Sequence, residues 1–157
     1  MMTDLHEILC HRTPMVFLDD VVESRHESLT ATIRIRAGIP FYETDRGVPA
    51  WVGIEYMAQS IAALAGIRAR AAGDKVPLGL IIGCRNYIST TAAFAPGSEL
   101  RISVEELIAE ENGFGSFDCR IDHPGINHRK IDEGAEVSQT VASARITVFG
   151  GDRQTIT

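Results

Sequence analysis

From Gly53 to about Ala72 the chain carries apolar residues on almost every face of a helical wheel: Ile54, Met57, Ala58, Ile61, Ala62, Ala63, Leu64, Ala65 and Ile67. A surface helix keeps one apolar stripe, whereas a helix apolar nearly all round has to be covered on nearly all sides. Arg68 and Arg70 interrupt the run, so a buried core helix is expected rather than a membrane span. The many alanines let neighbouring backbone approach closely, and Gly73 supplies the stop.

The remaining segments supply that cover. Leu29, Ala31, Ile33 and Ile35 alternate with Thr30, Thr32, Arg34 and Arg36, a period of two that marks a strand with one covered face. After Pro77 the chain reads as strands: 78–82, 87–94, 100–108, 114–121 and 137–149. Pro96-Gly97 and Asn112-Gly113 make two of the turns between them. Residues 5–10 suit a short helix, 16–22 a short strand or turn, and 42–48 a polar loop. One buried helix with early and late strands predicts an α+β domain, an antiparallel sheet wrapped around a central helix, over residues 1–157. Its free edges invite pairing with another chain, so a dimer is the expected assembly.

Composition narrows the functions. A 45% apolar share is enough for a core, and a formal charge of −6 leaves no basic footprint for nucleic acid. Cys10, Cys84 and Cys119 are odd in number and form no disulfide or metal pattern. No signal segment or membrane span is read, and a cytoplasmic location is expected. No glycine-rich phosphate loop or other cofactor pattern is present in the sequence. Asp122, His123 and His128 include metal-ligating types, but the turn between them defines no geometry, and no metal site is assigned.

One carboxylate, Glu55, sits in the first turns of the apolar helix. Burial there is expected to raise its pKa and keep its proton on, while the helix amino terminus favours the carboxylate. Gln59 follows one turn later on the same face, placed to hold a carboxylate or a loop carbonyl. No histidine occurs between His26 and His123, so this region lacks the obvious acid–base partner.

Four motifs in order carry a resemblance over nearly the whole chain. Leu9-Cys10-His11-Arg12-Thr13-Pro14-Met15-Val16-Phe17-Leu18-Asp19-Asp20-Val21 resembles the LPHRYPFLLVDRV of hotdog-fold 3-hydroxyacyl-[acyl-carrier-protein] dehydratases. Pro40-Phe41-Tyr42 resembles the PFF before their catalytic histidine. Ile54-Glu55-Tyr56-Met57-Ala58-Gln59 resembles their IEAMAQ helix start, and Phe94-Ala95-Pro96-Gly97-Ser98-Glu99-Leu100 their LPGDxL turn. The loop that bears the histidine is replaced by Glu43-Thr44-Asp45-Arg46-Gly47-Val48-Pro49-Ala50. In this the chain is most similar to the divergent dehydratase-like proteins of aryl-polyene lipid clusters.

The resemblance implies a hotdog fold and a substrate carried on the phosphopantetheine of an acyl carrier protein. It implies dehydration of (3R)-hydroxyacyl thioesters to trans-2-enoyl thioesters, with Glu55 as the acid. Ala50 stands where a glycine N–H meets the thioester carbonyl, and Tyr42 and Asp45 stand near the lost histidine. His11 matches a structural histidine, with contact to the active site through a rearranged loop as the alternative. A homodimer and a heterodimer with a related hotdog subunit are both implied, the second supplying the histidine. Acyl-thioester hydrolysis by Glu55 alone and a noncatalytic carrier-binding role are the alternatives. Trp51 and Phe41 are expected at a tunnel mouth, and Arg68, Arg70 and Arg85 at a rim for an acidic carrier.

Overall fold

The computed structural model describes residues 4–124 and 138–151. The short helix α1 (Leu5–Ile8) precedes strands β1 (Asp20–Ser24) and β2 (Ser28–Arg34). A two-residue strand β3 (Val48–Pro49) and one 3-10 turn (Ala50–Val52) lead into α2 (Gly53–Ala71). The chain then continues through β4 (Leu78–Ser89), β5 (Ala93–Phe94), β6 (Glu99–Ala109), β7 (Phe114–Pro124) and β8 (Ser138–Gly151).

Six strands form one antiparallel sheet in the order β1-β2-β6-β7-β8-β4, and β3 pairs separately with β5. The sheet wraps the single long helix, which is the hotdog fold. Alternation along each strand builds the face beneath α2. Ala31, Ile102, Ile121 and Ala142 form one cross-strand row, and Leu29, Val104, Cys119 and Ala144 the next, all buried. From the helix side Met57, Ile61 and Leu64 pack into the same cluster. Each large side chain so buried contributes roughly 1.5–3 kcal/mol. The outward row between these two buried rows, Thr30, Ser103, Arg120 and Ser143, is polar, as is the exposed Asp118–Arg145 pair at 3.0 Å.

The helix and its turn, Ala50–Ala71, are long and apolar enough by composition to cross a membrane, but 61% of the window is buried within the fold. Packing against the sheet therefore accounts for its apolarity.

The expected strands 78–82 and 87–94 are one strand, β4, followed by the separate β5. Polar and bulky residues in the middle of β4 are absorbed by register shifts at Ile81/Gly83 and Arg85/Ile88, with Asn86 left-handed at φ 55. Such bulges keep a strand paired where its alternation breaks.

Close approach between α1 and α2 depends on Gly66. A Cβ there would lie 1.8 Å from the Ile8 carbonyl oxygen. Gly66→Ala should therefore destabilise by about 1–3 kcal/mol despite alanine's better helix propensity, because backbone has to move. A urea midpoint at or above wild type would contradict this contact.

Several groups resist ionisation in the fold. Burial, reinforced by Asp118 and Cys84, pushes the Cys119 thiol up to about 12. Burial and then Cys84 push the Tyr87 hydroxyl up to about 12, and burial and then Asp19 raise Tyr56 further. Unfolded Cys and Tyr release protons near their ordinary values, 9.0 and 10.0. The unfolded state thus binds fewer protons above those values, and stability falls as pH rises from 9 toward 12. Urea midpoints taken across that range should decline, and less steeply in Tyr87→Phe.

Candidate active site

The start of α2 is pinned by its neighbours. The Ala50 N–H donates to the Ala92 carbonyl at 3.0 Å, and the Tyr87 hydroxyl donates to the Ala50 carbonyl. Both backbone groups of Ala50 are therefore committed. Its N–H does not await a thioester carbonyl, contrary to the role expected by analogy, because the β3–β5 contact uses it.

Gln59 is wholly buried, at 0% exposure, and makes three hydrogen bonds. Its Oε1 accepts from the Phe17 N–H at 2.8 Å, and its Nε2 donates to the Met15 carbonyl at 2.7 Å and to Glu55 Oε1 at 3.0 Å. One side chain thus fastens the 15–17 segment to the helix and fixes the carboxylate one turn away. The four-residue spacing predicts a hold on a carboxylate or a loop carbonyl, and Nε2 bonds one of each.

Glu55 itself is not buried: its side chain is 38% exposed. The burial expected from the apolar helix fails because Glu55 lies on the face of α2 turned toward His11 and the 9–17 segment, while Gly53, Tyr56 and Met57 of the same turns are buried. With Oε1 facing Gln59, Oε2 is the oxygen left to meet a ligand or carry a proton.

His11 Nε2 lies 3.6 Å from Glu55 Oε1, with its side chain 28% exposed. At that spacing the two groups are neighbours without a closed hydrogen bond. By resemblance His11 matches a structural histidine, with reach to a rearranged site left open; the fold places its imidazole beside the carboxylate. The missing loop histidine was the available signal, since it left few imidazoles able to reach Glu55. Cys10 Sγ lies 3.9 Å from His11 Nδ1, a neighbour that no spacing pattern flagged.

The altered loop does not enter this cluster. Glu43 and Gly47 close a tight turn through bonds of 2.7 and 2.9 Å, with the exposed Asp45 left-handed at its tip. Gly47 is required there: its φ is +96 and a Cβ would sit 1.8 Å from the Phe94 carbonyl oxygen. Asp45 makes no side-chain hydrogen bond among the described residues, and Tyr42 packs against the core. Phe41, left-handed at φ 65, meets Trp51 edge-on at 5.2 Å, and both are exposed, at 49% and 60%.

Behind Phe17 the Tyr56 ring is fully buried, and its hydroxyl has no partner among the described residues. It borders a 40 Å³ cavity shared with Asp19, Arg36 and Ile39. Tyr56→Phe should be neutral or stabilising, by up to about 2 kcal/mol, since an orphaned hydroxyl is removed. A clearly lower urea midpoint would show that the hydroxyl has a partner in solution.

Of the expected carrier rim, Arg68 is committed to Glu106 at 2.9 Å and to the His26 carbonyl, and Arg70 to Glu7. Arg85 is exposed on β4. Asp122 is engaged by Arg120 at 2.9 Å and Thr140 at 2.7 Å, while His128 lies outside the described residues. Among the described residues no three metal-ligating side chains cluster.

A long helix wrapped by an antiparallel sheet, with a braced carboxylate at its start, defines a hotdog-fold protein. The chain belongs to the ApeP-like family, described as ApeP dehydratase, whose model matches residues 3–156. It is similar in structure to a chain of the dehydratase heterocomplex ApeI:P from Xenorhabdus doucetiae, with a TM-score of 0.83 and 24% identity over 99% of this chain and 96% of that one. More distant likeness, with a TM-score of 0.59 and 12% identity over 84% of each chain, links it to a hypothetical thioesterase with coenzyme A from Streptococcus pneumoniae. The hexameric hotdog fold thioesterase Cj0915 of Campylobacter jejuni shares 11% identity, with a TM-score of 0.54 over 78% of this chain and 82% of that one. These structures share the fold. No curated protein sequence matches the chain.

Proposed function

We propose that this chain is the acid-bearing half of a two-subunit dehydratase acting on (3R)-3-hydroxyacyl thioesters. The carrying observation is the Gln59-braced, solvent-reachable Glu55 in a chain whose altered loop, residues 43–50, contains no histidine. The substrate arrives on the phosphopantetheine arm of an acyl carrier protein, and no further cofactor is needed. A related hotdog subunit brings the histidine, a reading supported by the likeness to a dehydratase heterocomplex. Among the described residues β4 is an edge strand with Ile82 and Ile88 exposed, and it offers that subunit a pairing surface.

In the reaction the partner's imidazole removes a proton from C2. Glu55 donates its proton from Oε2 to the 3-hydroxyl, the C3–O bond breaks, and water leaves. Each group is a general acid or base poised on one side of the substrate. Ala50 having spent its N–H, a different donor must meet the thioester oxygen.

The 3.6 Å approach of His11 to Glu55 supports a second reading, in which this in-chain pair directs water at the thioester carbonyl. Incubating the chain with a 3-hydroxyacyl carrier, alone and with the histidine-bearing subunit, separates the two. Enoyl thioester formed only by the mixture supports dehydration; free acid released by the chain alone supports hydrolysis.

A further inference from the structure

Cys10, His11 and Glu55 stand in series. One ring nitrogen of His11 faces the Cys10 sulfur at 3.9 Å, and the other faces the Glu55 carboxylate at 3.6 Å. Thiol, imidazole and orienting carboxylate in this order are the parts of an activated nucleophile. Both spacings exceed closed hydrogen bonds, as is common before a ligand draws such a site together. Glu55 is itself fixed from behind by Gln59. Cys10 is half-buried and therefore reachable, whereas Cys119 is buried with its thiol pushed up to about 12. The thiol is a feature of this chain rather than of the motif it resembles, since Cys10 stands where LPHR has proline.

We propose that Cys10 is an acyl acceptor, taking the acyl group from a pantetheine thioester onto its own sulfur. This rests on the reading that thioesters bind beside Glu55. His11 Nδ1 takes the thiol proton, and the Cys10 sulfur attacks the thioester carbonyl carbon. The carbon–sulfur bond to pantetheine then breaks, and His11 returns the proton to the departing sulfur. Glu55 stabilises the imidazolium between the two transfers. One thioester is exchanged for another, with no net change in protons or oxidation state. The acyl group is then free to return to a pantetheine thiol or to be released by water.

The test uses the full chain and a short-chain acyl-pantetheine, read by intact-protein mass spectrometry. The wild type should gain one acyl group that neutral hydroxylamine removes. Cys10→Ala should gain none, and His11→Asn, with its fold verified by circular dichroism, should acylate at least about tenfold more slowly. An adduct that survives Cys10→Ala overturns the proposal. So does a wild type that stays unacylated, whether or not iodoacetamide alkylates Cys10. Dehydration by the wild-type chain assembled with the histidine-bearing subunit is measured in parallel. If the wild type dehydrates but is never acylated, acyl transfer fails and the dehydratase reading stands; if it does neither, the thioester site itself is wrong.

Discussion

Glu55→Gln should slow dehydration by the assembled two-subunit enzyme by roughly 10²–10⁴-fold, the scale for losing a general acid, while leaving assembly intact. The amide keeps the size of the side chain and still accepts the Gln59 hydrogen bond at Oε1, seen at 3.0 Å in the native carboxylate. It cannot deliver a proton from the other atom. Because the Glu55 side chain is part-exposed and carries no core packing, its exchange should cost little stability. Dehydration rate and sedimentation of the mixed dimer, measured on the same preparation, check both halves. Full activity from a correctly assembled variant would remove Glu55 from the chemistry and leave this chain as scaffold.

Gln59→Leu should have the largest effect on stability, about 2–5 kcal/mol, measured as a shift of the urea midpoint. The substitution preserves approximate volume and apolar packing but orphans the Phe17 N–H and the Met15 carbonyl, both satisfied now by Gln59. A buried group left unpaired costs roughly 1–3 kcal/mol; the Phe17 N–H sits in a buried bond and the Met15 carbonyl in a part-buried one, so the sum falls short of twice the upper figure. Gln59→Glu separates stability from positioning, since its carboxylate accepts from Phe17 but repels Glu55. A Gln59→Leu protein as stable as wild type would mean that water enters behind the 15–17 segment.

The fold was legible because one helix is apolar nearly all round and one strand alternates cleanly, and these two facts leave few architectures. Gly53 and the end near Ala71 follow directly from that pattern. β4 was less legible: its bulges at Ile81/Gly83 and Arg85/Ile88 interrupt the period of two, so one strand reads as two. In the site, Glu55 and Gln59 were legible because a helix converts a spacing of four into contact. The approach of His11 was not, since it depends on how the 9–17 segment is tied down 42 and 44 residues away in sequence by Gln59. Nor could the spent N–H of Ala50 be read, because its acceptor, Ala92, lies across the β3–β5 contact.

The most direct measurement is a crystal structure of this chain assembled with its histidine-bearing hotdog partner and a 3-hydroxyacyl-pantetheine analogue that cannot react. Glu55 Oε2 should lie within hydrogen-bond distance of the 3-hydroxyl, with the partner's loop imidazole against C2 on the opposite side. An acyl chain that avoids Glu55, or one whose C2 is met by His11 of this chain, would contradict the composite site.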